Sequence, residues 1–402
     1  MPALKWPLKN PSPERFLSLG TIALIVWYLL LCLIQYVYQR PLWNDEHWVF
    51  FNLTSFNARE IFSREFFSAQ TFPRVYFFLI QNFSRIFDFN LLSLRFFPFL
   101  SMLVAFFVWL KVARYGLKDQ WSYLIFVLSW SASAVLIYYA SELKQYSMDV
   151  LVAAAWLLFL CNQRRIEESR SITSYTLILI LLPFLVFFSY PAYLFIIFPI
   201  INLIHSVSVD RRFIRPLIFY VAFAIIVAVT SYYFDIRLAA SSAQDALQDY
   251  FIYADSLAHF LQTLGEGINN LFSRWFVERP KAFKQIGIFF VTFGLINLFY
   301  GFLKIIKRDK GRFHSVNTIA LIVFVELIIL GALKKYPFTI PRTSLFFCPI
   351  VLFLTAQALG AFKKYRYAYI FLQTSYVVFL LYIAISLSGI TLAGLLSFRP
   401  VL

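Results

Sequence analysis

Apolar residues fill the chain in long blocks, and the polar residues between them come mostly as short basic intervals. A helix needs about 20 apolar residues to cross a hydrocarbon layer of about 30 Å. Blocks near that length lie at 17–38, 91–110, 121–140, 146–161, 175–190, 191–207, 214–234, 286–303, 315–333, 344–361 and 367–387. They predict an all-α polytopic membrane protein with about eleven transmembrane helices. The first block follows Lys5, Lys9 and Arg15. It lacks the short apolar core and small-residue cleavage site of a secretory signal, so it reads as an uncleaved span.

The intervals between blocks test this drawing. A cytoplasmic N-terminus gathers Lys111, Arg114 and Lys118, then Arg164, Arg165 and Arg170, then Arg211, Arg212 and Arg215 on the inner side. Lys304, Lys307, Arg308, Lys310, Arg312, Lys363, Lys364 and Arg366 follow there. About 20 of the 36 basic residues then lie inside against about six acids, as the positive-inside rule requires. The paired polar residues are left outside.

Two outer intervals, 39–90 and 235–285, are longer than a helix connection needs. In the first, Ile61, Phe62, Phe66 and Ala69 recur at helical spacing, and Tyr76, Leu79, Ile80, Phe83 and Phe87 do the same. In the second, Leu247, Phe251, Ala254, Leu257, Leu261 and Leu264 form a stripe that breaks at Gly265 and Gly267. Ile268, Leu271, Phe272, Trp275 and Phe276 resume it. Both patterns predict helices lying in the outer interface. The second interval reads either as a scaffold or as a lid over a site.

Composition agrees and removes alternatives. With 61% hydrophobic and 14% charged residues, the chain has more apolar surface than a soluble core of 402 residues hides. The net charge of +16 is spread over the intervals rather than along one stripe, so it reports topology and not nucleic-acid binding. Cys32, Cys161 and Cys348 lie in or beside apolar blocks without metal or disulfide spacing. No repeat, phosphate-cradling glycine loop, Walker motif or metal-ligand cluster is present, so residues 1–402 read as one membrane domain that does not use ATP by itself.

Three outer stretches carry chemistry that hydropathy does not demand. Pro41-Leu42-Trp43-Asn44-Asp45-Glu46-His47-Trp48 sets an acidic pair between tryptophans where the first span ends. Ser141-Glu142-Leu143-Lys144-Gln145-Tyr146-Ser147-Met148-Asp149 is a tight turn between two spans. There Ser141 is a cap candidate, and Glu142, Gln145, Tyr146 and Asp149 share a helical face from which Lys144 points away. Asp149 either pairs with a neighbouring helix or lines a cavity, and Lys144 either borders that cavity or snorkels to the headgroups. Lys334-Lys335-Tyr336-Pro337-Phe338-Thr339-Ile340-Pro341-Arg342 places three cations outside, against the general trend. Their partner is either lipid headgroups or a bound phosphate, the latter best held by Arg342.

These stretches, with Pro73-Arg74-Val75-Tyr76 and Leu94-Arg95-Phe96-Phe97-Pro98, resemble the membrane glycosyltransferases of the GT-C class. The resemblance is to the branch of the protein O-mannosyltransferases and lipid A aminoarabinose transferases. It covers the first two hundred residues best and is architectural from there to Arg342. It implies a GT-C-like bundle that moves a sugar from a polyprenyl-phosphate donor to a lipid, glycan or protein acceptor at the outer face, in a bacterial inner membrane. Asp45 matches the first acid of the family's pair, the usual catalytic carboxylate. Removing the acceptor's proton needs such a base, and the phosphate leaving group needs cations more than an acid. Lys144 and Arg342 are the candidates for that. Glu46 would orient Asp45 or bind sugar hydroxyls, and Trp43 and Trp48 would pack on the sugar or anchor the interface. Glu142, Gln145 and Tyr146 complete the substrate-binding set. A single displacement implies inversion. Because Asn-Asp-Glu replaces the Asp-x-Asp pair of metal-dependent oligosaccharyltransferases, no cofactor or obligatory metal is expected. A solvated loop acid is the plain alternative for Asp45. A flippase or transporter of lipid-linked sugars is the competing function, although its charges belong near the midplane.

Overall fold

The computed structural model describes residues 13–117, 119–169, 171–238, 247–273, 281–306, 315–338, 340 and 342–396. Among them all regular structure is helical. Lys5, Lys9, Lys118, Arg170, Lys307, Arg308, Lys310, Arg312, Trp275, Phe276, Thr339 and Pro341 lie outside the described residues.

The long helix α1 (Pro13–Val37) leads into three shorter ones, α2 (Asn44–Ser55), α3 (Ala58–Ile61) and α4 (Arg74–Ile86). Then come α5 (Leu91–Gly116), the pair α6 (Gln120–Ser131) and α7 (Ala134–Tyr139), and α8 (Tyr146–Ser169). α9 (Ile172–Leu181) tightens into a 3₁₀ segment, Leu182–Phe187, and a second one, Tyr190–Phe195, opens α10 (Ile197–Val209). α11 (Ile214–Ser231) ends in a π turn, Tyr232–Ile236. The chain closes with α12 (Leu257–Ser273), α13 (Lys281–Ile306), α14 (Val316–Ala332), α15 (Cys348–Ala361) and α16 (Arg366–Leu396).

Every apolar block is therefore helical, but they are not alike in length. Among the described residues six stretches are long and apolar enough to cross a membrane: Leu17–Val37, Leu91–Gly116, Tyr146–Ser169, Tyr190–Val209, Arg211–Ile236 and Arg366–Gly389. Ile172–Phe187, Gln285–Gly301, Val316–Ala332 and Leu345–Ala361 are shorter apolar helices. The block at 121–140 is divided, because Ala132 ends α6 and Ser133 is extended, with φ −79° and ψ 105°.

α8 runs along α5, α15 packs against α6 and α13, and α1 lies on α6. Aromatic rings fill the centre, with Trp109, Trp130 and Trp156 wholly buried. Where α13 meets α14 the backbones touch: a side chain at Gly301 would place its Cβ 2.6 Å from the carbonyl oxygen of Asn317.

A second, smaller core caps one end of the bundle. It joins Val49 and Leu53 of α2 to Phe66, Phe72, Tyr76, Phe77 and Ile80 around α4, and it takes in Leu143 from the α7–α8 connection. This cap corrects one expectation and meets another. Residues 59–69 form only a helical turn, Ala58–Ile61, and a 3₁₀ turn, Phe67–Ala69, because Phe66 turns inward onto Phe77 at 4.4 Å. The helix over 74–86 forms as its spacing predicts, with Tyr76, Phe77 and Ile80 buried. In the second long interval, 247–256 is mostly irregular while α12 runs straight through Gly265 and Gly267. Each glycine costs a helix only about 1 kcal/mol, and Phe260, Leu264 and Ile268 pack α12 against the main core.

Candidate active site

The acidic pair opens α2 and is divided between two tasks. Trp43 is the N-cap, so Asp45 and Glu46 stand in the first turn, where the helix dipole favours carboxylates. Glu46 is fully buried. Its Oε1 accepts from Arg95 Nε at 3.2 Å and from the Leu143 amide at 2.7 Å. Its Oε2 accepts from Arg95 Nη2 at 2.9 Å and from the Trp43 amide at 3.3 Å. Arg40 approaches Oε1 at 3.9 Å while lying over the Tyr138 ring at 3.8 Å. With both oxygens engaged, Glu46 pins the start of α2 to α5 and to the α7–α8 connection. All of these contacts are to the protein itself.

Asp45 points the other way. Its Oδ2 lies 2.6 Å from Arg342 Nη1 and 3.7 Å from Lys144 Nζ. Lys144 Nζ also donates to Gln70 Oε1. The Arg342 guanidinium sits 5.4 Å above the Trp43 ring, and the Trp43 indole N–H donates to Glu142 Oε1 at 3.1 Å. Three stretches that lie far apart in the chain, around Asp45, Glu142–Lys144 and Arg342, thus close into one ring of contacts. The Asp45 side chain is 21% exposed, whereas Lys144 and Glu142 are buried. Burial, offset in part by Asp45, pulls the Lys144 ammonium down to about 8. Burial first, and the neighbouring Glu46 second, push the Glu142 carboxyl up to about 7.

The local fold differs here from the helical face expected over 142–149. Residues 141–145 form a tight turn, with the Lys144 amide donating to Glu142 O at 2.7 Å, and α8 starts only at Tyr146. Leu143 is drawn into the small core and its amide into Glu46, so the chain cannot continue α8 backwards. Ser141 makes no capping hydrogen bond. The turn carries Lys144 to Asp45. Gln145 reaches the Thr71 carbonyl at 3.4 Å, and Tyr146 is buried edge-on to Tyr139.

Other residues of the three stretches stay apart. Trp48 is half exposed and meets Phe51 edge-on, and His47 is exposed. Of the three late cations only Arg342 joins the ring. Lys334 and Lys335 are exposed, Lys334 lying 5.5 Å over Tyr253. Asp149 is buried one turn into α8.

Four supporting residues escape a reading by composition. Arg95 is an arginine near the start of an apolar helix, and that oddity is a legible signal of a buried partner. Gln70 is carried by a strap in which Ser68 and Ala69 both take positive φ, 59° and 53°. Such a backbone costs about 1–2 kcal/mol per residue without glycine. Asn52 holds the strap by accepting from the Phe67 amide at 2.8 Å and donating to its carbonyl at 3.3 Å. Being wholly buried, Asn52 is no glycan acceptor despite its Asn-Leu-Thr context. Arg74 forms the fourth support: its amide donates to Asp235 Oδ2 at 3.0 Å, and Asp235 Oδ1 accepts from Tyr190 at 2.7 Å. This ties α4 to the end of α11.

No family model, characterised protein or solved structure matches the chain. Among the described residues no three His, Cys, Asp or Glu side chains are grouped to hold a metal ion.

Proposed function

We propose that the protein is a membrane glycosyltransferase that moves a sugar from a polyprenyl-phosphate donor to an acceptor hydroxyl at the outer membrane face. The observation that carries this reading is the meeting of one partly exposed carboxylate, Asp45, with two cations, Lys144 and Arg342, at the ends of apolar helices. Asp45 takes the proton of the acceptor hydroxyl as its oxygen attacks the anomeric carbon. The bond from that carbon to the phosphate oxygen breaks on the opposite side, so the configuration inverts. The departing phosphate is already a stable anion, and Lys144 and Arg342 stabilise it without a general acid. Trp43, held by Glu142 and covered by Arg342, offers an aromatic wall beside the reacting atoms.

The reading extends to the whole bundle. We take the six long helices and the shorter apolar ones, with the divided α6–α7, as about eleven crossings in a GT-C-like arrangement. The site contacts support this alternation, because they gather the C-terminal ends of α1, α7, α11 and α14 with the N-terminal ends of α5, α8 and α15. Counted from a cytoplasmic N-terminus, that end is the outer one.

The test is transfer of label from a radiolabelled polyprenyl-phosphate sugar to candidate acceptors by purified full-length protein. Asp45→Asn should lose at least about 100-fold in rate, the lower end of what a positioned base contributes, with an unchanged melting temperature. Wild-type transfer by a folded Asp45→Asn protein would remove Asp45 from the mechanism. Movement of the labelled lipid across a vesicle bilayer without covalent transfer would favour the flippase instead.

A further inference from the structure

In the resting site, the two cations assigned to the donor phosphate are already occupied by the base. Arg342 Nη1 and Lys144 Nζ both face the same oxygen, Asp45 Oδ2, at 2.6 and 3.7 Å. A carboxylate and a phosphate present the same kind of acceptor oxygen to a guanidinium, and both are held by charge-assisted hydrogen bonds. A carboxylate oxygen held this way points its lone pair at a cation and not at an acceptor hydroxyl.

We infer that Asp45 is a resident anion in the donor site and that the phosphate of the arriving lipid exchanges with it on Arg342 and Lys144. The inference rests on the glycosyltransferase reading and adds a control to it. Donor binding is then the step that releases the base. Free Asp45 turns toward the acceptor only once a phosphate has taken its cations, so the carboxylate is not active in the absence of a leaving group.

The surroundings suit an exchange. Arg342 keeps its place when Asp45 leaves, since its guanidinium also rests on Trp43 at 5.4 Å. Lys144 keeps its place because Gln70 accepts from its ammonium and the strap carrying Gln70 is clamped by Asn52. Asp45 has fewer anchors of its own: its side chain is 21% exposed, Oδ1 makes no ion pair among the described residues, and Arg342, 27% exposed, has the Trp43 ring besides. Glu46 stays behind, fixed by Arg95.

Exchange has a signed consequence for affinity. A ligand that binds only the released form has its apparent affinity reduced by the fraction of protein in that form. Removing the resident anion therefore tightens phosphate binding, although it removes the base. The probe is undecaprenyl phosphate, which has no sugar to transfer, titrated into full-length protein in nanodiscs with tryptophan fluorescence as readout. Asp45→Asn should bind it at least about five-fold more tightly than wild type, while Lys144→Met and Arg342→Gln should bind it at least about five-fold more weakly. Asp45→Ser repeats the test if the asparagine variant is poorly folded. Glu142→Gln measures what loss of a nearby acid does without vacating the cations, and it should tighten binding less than Asp45→Asn.

Unchanged or weaker binding by both Asp45 variants, with both cation variants weak, overturns the exchange and leaves the phosphate-binding reading standing. Equal tightening by Glu142→Gln and Asp45→Asn also overturns it, because simple repulsion then suffices. Wild-type affinity in both cation variants removes the phosphate site itself, and the exchange with it. Inorganic phosphate run in parallel separates a headgroup site from a general anion site. Competition by millimolar phosphate in wild type but not in Arg342→Gln assigns the recognition to the phosphate group, and the opposite pattern counts against it.

Discussion

At the scale of single residues, the adjacent acids Asp45 and Glu46 have opposite fates because a helix's first turn sends neighbours to different sides. Glu46 faces inward to Arg95 and is structural, while Asp45 faces the cations. Two groups beside Asp45 and Trp43 respond to pH. Lys144, drawn down to about 8 by burial, is charged below that value and neutral above it. Glu142, pushed up to about 7 by burial and Glu46, is neutral below that value and becomes an anion above it. Both changes make the site less attractive to phosphate as pH rises. Affinity for undecaprenyl phosphate should therefore fall from about pH 7, above which the phosphate monoester is already mostly a dianion, progressively through about 8. Lys144→Arg should remove the more alkaline part of the fall, since a guanidinium stays charged throughout. A flat titration from pH 7 to 9 in wild type would show that neither group faces the ligand.

At the scale of elements, the question is what holds α2, α5 and the α7–α8 connection in register. Glu46 and Arg95 form that joint, both wholly buried and doubly hydrogen-bonded. Breaking such a pair from one side leaves a buried charge and costs about 3–5 kcal/mol, whereas removing both charges together is far milder. Arg95→Leu should therefore lower the melting temperature sharply, and the double change with Glu46→Leu should recover most of the loss. Failure of the double variant to recover would mean that the Leu143 and Trp43 amides, not Arg95, are the main partners of Glu46. Much at this scale was legible in the chain. The apolar blocks became helices, and the spacing over 76–87 became α4. What was not legible turns on tertiary contacts. The 142–149 face assumed a helix that begins early, but burial of Leu143 and the bond from its amide to Glu46 unwind the first turn and reverse Lys144. Likewise Gln70 and Asn52 have no local pattern that marks them, because the strap between them is defined only by what it touches.

At the scale of the molecule, the site's chemistry makes sense only if all its parts lie on one side of a membrane. The contacts place Asp45, Lys144 and Arg342 at one end of the bundle, and the basic connections such as the one between α10 and α11 belong to the other end in the alternation. In the proposed topology the positive-inside rule puts the ring of contacts on the outer side. His47, one residue past Glu46 and exposed, and Arg212, exposed in the α10–α11 connection, report the two ends without touching the ring of contacts around Asp45. The natural thiols interfere little, since Cys32 and Cys348 are buried and Cys161 is only partly accessible. In intact cells a membrane-impermeant maleimide should label His47→Cys at once, and it should label Arg212→Cys only after the membrane is permeabilised. The reverse order would put the proposed site in the cytoplasm, where its cations would meet soluble anions. Labelling of both without permeabilisation would mean an even number of crossings between α1 and α11, and the eleven-crossing alternation would have to be redrawn around the divided α6–α7 segment.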